Sequence, residues 1–142
     1  MNSVDFIIPL LFCTPLVQAA APTEGDFYEQ NTLRVATLQK ALPECHSMRI
    51  YERVVRGKDE GRTSYMELTA EEQSHWRHII SSLKPLKQKG SKMKLPRTMY
   101  YLQMLNEQGE VYYTMPMDWV VKESELPDGR YNRRATMYIP GQ

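Results

Sequence analysis

Cysteine is scarce. Two in 142 residues exclude a disulfide-dense scaffold. Neither sign of charge is in excess: 18 Lys+Arg and 17 Asp+Glu give +1 with neutral histidines. That excludes a strongly polyanionic or polycationic chain, though not a local patch. Long apolar runs are missing too. The stretch 6–17, FIIPLLFCTPLV, has 12 residues and holds Pro9 and Pro15, so it is too short and too broken to span a bilayer. No strong catalytic or nucleotide-binding motif occurs. What is present is ordinary for one folded domain: 42% hydrophobic and 25% charged residues, unlike a disordered chain.

The 6–17 run, followed by Ala19-Ala20-Ala21, reads as a secretory signal. Val17-Gln18-Ala19 supplies the modest and small side chains of a cleavage site after Ala19. Cleavage after Ala21 fits less well, because Pro22 would adjoin the cut. One feature departs from the pattern: Asp5 precedes the run and no Lys or Arg does. A misassigned start or an ordinary buried strand are the alternatives. A lipoprotein cut before Cys13 is disfavoured by bulky Phe12. Export leaves Cys45 as the sole thiol, either buried and inert or free to pair between chains. The expected organisation is a signal peptide at 1–19 and a single small domain at 20–142.

Beyond the short leader 20–25, Asp26 and Glu29 mark a helix start. Tyr28, Val35, Leu38 and Leu42 fall on one stripe, and Pro43 ends the helix. Residues 47–56 alternate, with Met48, Ile50 and Val54 on one face, Arg49, Tyr51 and Arg53 on the other, and Glu52 as the exception. A turn over 57–61 leads to a returning strand at 63–68. Thr69-Ala70-Glu71-Glu72 matches a capping box, followed by the apolar stripe Trp76, Ile79, Ile80, Leu83. Pro85 ends this second helix near Lys84. Strands at 98–105 and 110–115 flank Asn106–Gly109, where Gly109 suits a left-handed closing position. The tyrosines at 100, 101, 112 and 113 suit paired strands. A short strand at 118–122, a turn at 127–129 and a final edge strand at 134–139 complete the chain. The order predicts an α+β fold: an antiparallel sheet of about four to six strands with two helices on one face.

The run Ala41-Leu42-Pro43-Glu44-Cys45, then Arg49-Ile50-Tyr51, resembles the opening of certain small exported bacterial proteins of uncharacterised function. There a helix ends in an A-L-P-x-C step and a hydrophobic strand follows. Leu68-Thr69-Ala70-Glu71-Glu72 is similar to the L-T-x-E-E start of their second helix. The resemblance covers about a third of the chain. It implies export and the α+β fold, and it carries no activity.

Several constellations bear on chemistry. Glu71, His75 and His78 lie within roughly 60° of each other on the second helix. Two imidazoles and a carboxylate suit zinc, but the zincin spacing is absent and no further ligand is nominated. The plain alternative is a wet helical face. Cys45 and His46 adjoin, yet thiolate–imidazole dyads are assembled across a fold rather than between neighbours, and no orienting Asn or Asp motif accompanies them. Met93, Met99, Met104, Met115, Met117 and Met137 invite a cuprous site, Met115-Pro116-Met117 above all, but core filling explains strand methionines. Trp119 suits either an interface anchor or the end of the core.

The stretch from Gln73 to Asn106 contains no Asp or Glu. It holds Arg77, Lys84, Lys87, Lys89, Lys92, Lys94 and Arg97, six of them between Lys84 and Arg97. A long loop of one sign creates a local positive potential, and long loops are often binding elements or simply mobile. The functional expectation is therefore an exported, non-catalytic binding or interaction module with no cofactor. Its partner would be an acidic protein or an anionic envelope glycan or lipid surface, met by Lys84, Lys87, Lys89, Lys92, Lys94 and Arg97. Export disfavours nucleic acid, and the mature chain has no expected transmembrane span. The alternatives are a metal-dependent hydrolytic enzyme built on Glu71, His75 and His78, or a structural envelope subunit that self-associates through a sheet edge or Cys45.

Overall fold

A computed structural model describes residues 24–92 and 95–142. The expected signal segment, Cys13, Met93 and Lys94 lie outside the described residues.

Helix α1 (Glu24–Ala41) begins two residues before the predicted start and runs into a single 3-10 turn, Leu42–Glu44, as Pro43 ends the helical ladder. Val35 and Leu38 are buried on the predicted stripe, and Leu42 packs against the same core. Tyr28 is not buried. Asn31 occupies the inner position of the first half instead, fully enclosed. That half of α1 faces a chain segment whose Leu86 carbonyl needs a donor, and the Asn31 amide supplies it at 3.1 Å. Burying an unpaired carbonyl would be costly, so a polar residue belongs there.

Strand β1 (Ser47–Val54) is central. It pairs on one side with β2 (Thr63–Glu67) and on the other with β4 (Thr98–Leu105); β4 then pairs with β5 (Val111–Pro116). All three pairings are antiparallel. In the β4–β5 hairpin, Gly109 takes φ 78°, a left-handed value, and the Asn106 side chain accepts from the amides of Gln108 and Glu110. The alternation of β1 holds: Met48, Ile50 and Val54 are buried. Ile50 stands opposite Leu102, and Met115 opposite Leu102 from the other side. Glu52, the polar exception on that face, is half-buried and accepts from the Ser64 hydroxyl at 3.3 Å.

Helix α2 (Ala70–Ser82) starts at the predicted capping box. The Glu72 amide donates to the Thr69 hydroxyl at 3.1 Å, and the Thr69 amide to the Glu72 carboxylate at 2.8 Å. Both helices cover the same face of the sheet. Val35 and Leu38 from α1, and Ile79, Ile80 and Leu83 from α2, share one core with Met48, Ile50, Leu102, Met104 and Met115. Four methionines, at 48, 104, 115 and 137, are at most 1% exposed, so here methionine fills the core.

The fold is α+β as predicted, but the strands divide between two sheets. A three-stranded sheet holds β3 (Lys84–Pro85), β6 (Val120–Lys122) and β7 (Met137–Ile139). The final strand was expected as an antiparallel edge. Instead β7 lies in the middle, antiparallel to β3 and parallel to β6. A parallel pair needs a crossover of a dozen or more residues, which the segment 123–136 provides. A second small core of Leu86, Val121, Tyr131 and Ala135 lies beneath it. Among the described residues no helix is long and apolar enough to cross a membrane.

Candidate functional site

The Lys84–Arg97 segment is not a free loop over its described part. Lys84 lies in β3, and Leu86 is 2% exposed. The Leu86 amide donates to the Thr136 carbonyl, and the Tyr131 hydroxyl donates to the Gln88 carbonyl at 2.7 Å. Backbone bonds from Lys92 to Tyr131 and from Arg133 to Lys92 continue the docking. Its cations therefore disperse. Lys87 stands over the Tyr28 ring and Lys89 over the Phe27 ring, at 5.5 and 5.8 Å. Lys92 forms an isolated bridge with Asn132, and Arg97 lies against the Gly57 turn. Lys87 and Lys89 thus lie over adjacent rings of α1, while Lys92 and Arg97 have other neighbours.

One lysine of the segment joins a different cluster. Arg34, Lys89, Arg133 and Arg134 line a depression of about 300 Å³ together with Phe27, Gln30, Trp119 and Thr136. Four parts of the chain meet there: α1, the 86–92 segment, the 3-10 turn Met117–Trp119, and the stretch before β7. Arg34 is oriented by two contacts. Its guanidinium lies 5.3 Å from the Trp119 ring centroid and donates to the Asn31 side-chain oxygen at 3.4 Å. Arg134 is paired with Asp118, whose Oδ2 lies 2.8 Å from Nε and 2.6 Å from Nη2. Four cationic side chains line the depression, and none of its lining residues is acidic, so its lining is positively charged.

Thr136 also lines this depression. It is 4% exposed, and its Oγ1 has no hydrogen-bond partner among the described residues. Its backbone is fully engaged, with the amide donating to Trp119 and the carbonyl accepting from Leu86. A buried hydroxyl without a partner is costly and calls for a group that can pair with it. Four cationic side chains line the same depression, Arg134 among them already paired with Asp118.

The sequence missed Arg34, Arg133, Arg134 and Thr136. A usable signal existed in the second acid-free stretch, 129–142, which carries Arg130, Arg133 and Arg134. Arg34 had no comparable signal, because a helical arginine is ordinarily a solvated side chain.

The other candidates fare differently. Glu71, His75 and His78 line a wide, shallow depression beside Leu68 and Trp76, and all three are exposed. Among the described residues, no three His, Cys, Asp or Glu side chains stand where they could hold a metal ion. Cys45 is buried, and its thiol donates to the Ser47 carbonyl at 3.2 Å. Burial pushes the thiol pKa up, against an opposing pull from Arg77, so the nucleophilic thiolate is disfavoured. His46 points into solvent rather than forming a dyad in the interior. Trp119 does close the end of the core, and it also carries Arg34 on its ring.

No family model matches this chain, and neither the curated proteins nor the solved structures contain a significant match to it.

Proposed function

We propose that this protein is a non-catalytic binding module that takes a carboxylate, sulfate or phosphate group of a macromolecular partner at the Arg34–Lys89–Arg133–Arg134 depression. The observation that carries this is the buried, unpartnered Thr136 hydroxyl in a depression also lined by four cationic side chains. Guanidinium forks match oxyanions with directed, charge-assisted bonds, and the hydroxyl adds a neutral donor. The aromatic rings of Phe27 and Trp119 support Lys89 and Arg34 from below, which holds the cations before a ligand arrives. A non-catalytic role is further supported by the buried, weakly acidic Cys45 thiol and by the absence of a metal-ligating cluster among the described residues.

Retention on an immobilised sulfated polysaccharide tests this. The wild-type protein is expected to bind at low salt and elute as salt screens the contact. The double reversal Lys89→Glu/Arg133→Glu is expected to weaken binding by about tenfold or more. Lys58→Glu/Arg62→Glu, an equal charge change at exposed residues of the β1–β2 turn, is the control. Equal losses for both would assign the retention to net charge and reject the pocket.

The proposal includes export, which the 6–17 run and the small residues after it support. Protein recovered from its native cells is then expected to show an intact mass that begins at Ala20. A full-length mass would reject export and return nucleic acid to the candidate partners.

A further inference from the structure

Among the described residues strand β2 is a free edge of the four-stranded sheet, and every one of its residues is exposed. Proteins ordinarily protect such an edge with proline, lysine or a bulge. The opposite edge, β5, has two of these: it ends in Pro116 and carries a register shift opposite Met104 and Leu105. The β2 sequence, Thr63-Ser64-Tyr65-Met66-Glu67, has none of them. We infer that β2 is a dimerisation edge, and that its occupant is a second copy of this chain paired antiparallel about a two-fold axis at Tyr65.

The register follows from the backbone. The Val54 amide donates to Arg62, and the Leu68 amide to Met48. Even-numbered residues of β2 thus bond to β1, and the alternate groups of Thr63, Tyr65 and Glu67 face outward. Centring the pairing on Tyr65 sets Tyr65 against its own copy and Thr63 against Glu67, so every outward group meets an outward group. A two-fold interface must be self-complementary in this way.

Side chains on both faces agree with that register. On the outer face, Tyr65, Tyr51 and Tyr101 form a row across three strands, with ring centroids 5.3 and 5.6 Å apart. The pairing continues this row into its copy. Arg53 stands opposite Thr63 in the same sheet, so Glu67 of the second copy falls next in line beyond Thr63. Among the described residues neither Arg53 nor Glu67 has an ion-pair partner, and the interface supplies each with one. On the inner face, a depression lined by Ile50, Glu52, Ser64, Tyr100 and Met117 adjoins Met66, which is 57% exposed. Ser64 lies opposite Met66 of the copy, so each Met66 covers the other subunit's depression. The charge complementarity and the reciprocal Met66 contact are what select a second copy as the occupant.

Sedimentation velocity of the purified protein from about 1 to 100 μM, a range that brackets a micromolar dimer, tests the inference. The expected result is a concentration-dependent shift from monomer to dimer. Met66→Glu places a carboxylate beside Glu52 in the partner's depression and is expected to raise the dissociation constant at least about tenfold. Glu67→Arg and Arg53→Glu are each expected to weaken the dimer, and the double swap to restore it. That restoration reads the register and does not depend on Met66→Glu folding well. A monomer throughout, an open-ended polymer, or a dimer indifferent to all these changes would overturn the inference.

Discussion

Gly90→Ala is expected to disrupt the 86–92 segment and cost about 3 kcal/mol of stability, the upper end of overpacking penalties. The cause is space. A Cβ at Gly90 would stand 2.3 Å from the Tyr131 carbonyl oxygen, 2.6 Å from its ring and 2.8 Å from the Asn132 carbonyl oxygen. Two of these three contacts are backbone, which cannot swing aside as a flexible side-chain tip can. Tyr131 is also the residue that receives the Lys92 amide and anchors Gln88. Moving it displaces Lys89 and Arg133 together. Urea denaturation should show the lost stability, and retention on the sulfated resin should fall with it. A variant with the wild-type midpoint and retention would show that the segment is not held as described.

Leu102→Ala should cost about 2–5 kcal/mol, the usual range for a leucine removed from a packed core. Leu102 is 1% exposed at the centre of β4, between Ile50 and Met115. The cavity would open among rigid strands that cannot collapse to fill it. Its effect on binding should be the opposite of Gly90→Ala. The cationic depression draws on α1, the 86–92 segment and residues 119–136, none of them in β4. Below its lowered denaturation midpoint, Leu102→Ala is therefore expected to keep wild-type retention. A proportional loss of binding would mean that the main core and the depression are one cooperative element.

The two variants separate what the chain states locally from what it states only at a distance. The Thr69–Glu72 capping box is legible because all its atoms lie within one turn. The β4–β5 hairpin is legible for the same reason: Asn106 and Gly109 close it with bonds a few residues apart. The alternation in β1 reports one buried face directly. By contrast, Tyr28 and Asn31 lie one turn apart on α1, and periodicity favours the tyrosine as the buried residue. Asn31 is buried because the Leu86 carbonyl, 55 residues away, requires a donor.

The same limit governed the site. Lys87, Lys89 and Lys92 read as one basic loop, since neighbours in sequence suggest neighbours in space. Docking of the backbone against Tyr131 and Thr136 sets Lys87 and Lys89 over adjacent rings of α1, and of the described lysines Lys89 lines the depression with the arginines. By itself the sequence determined the helices, the hairpins, the covered face of the main sheet and the α+β class, because each rests on short-range periodicity and capping. Only the tertiary structure decided that β7 pairs in parallel with β6, that the strands divide into two sheets, and that Arg34, Lys89, Arg133 and Arg134 line one depression with Thr136. Those outcomes depend on contacts between segments far apart in the chain, for which no local pattern of residues carries a signal.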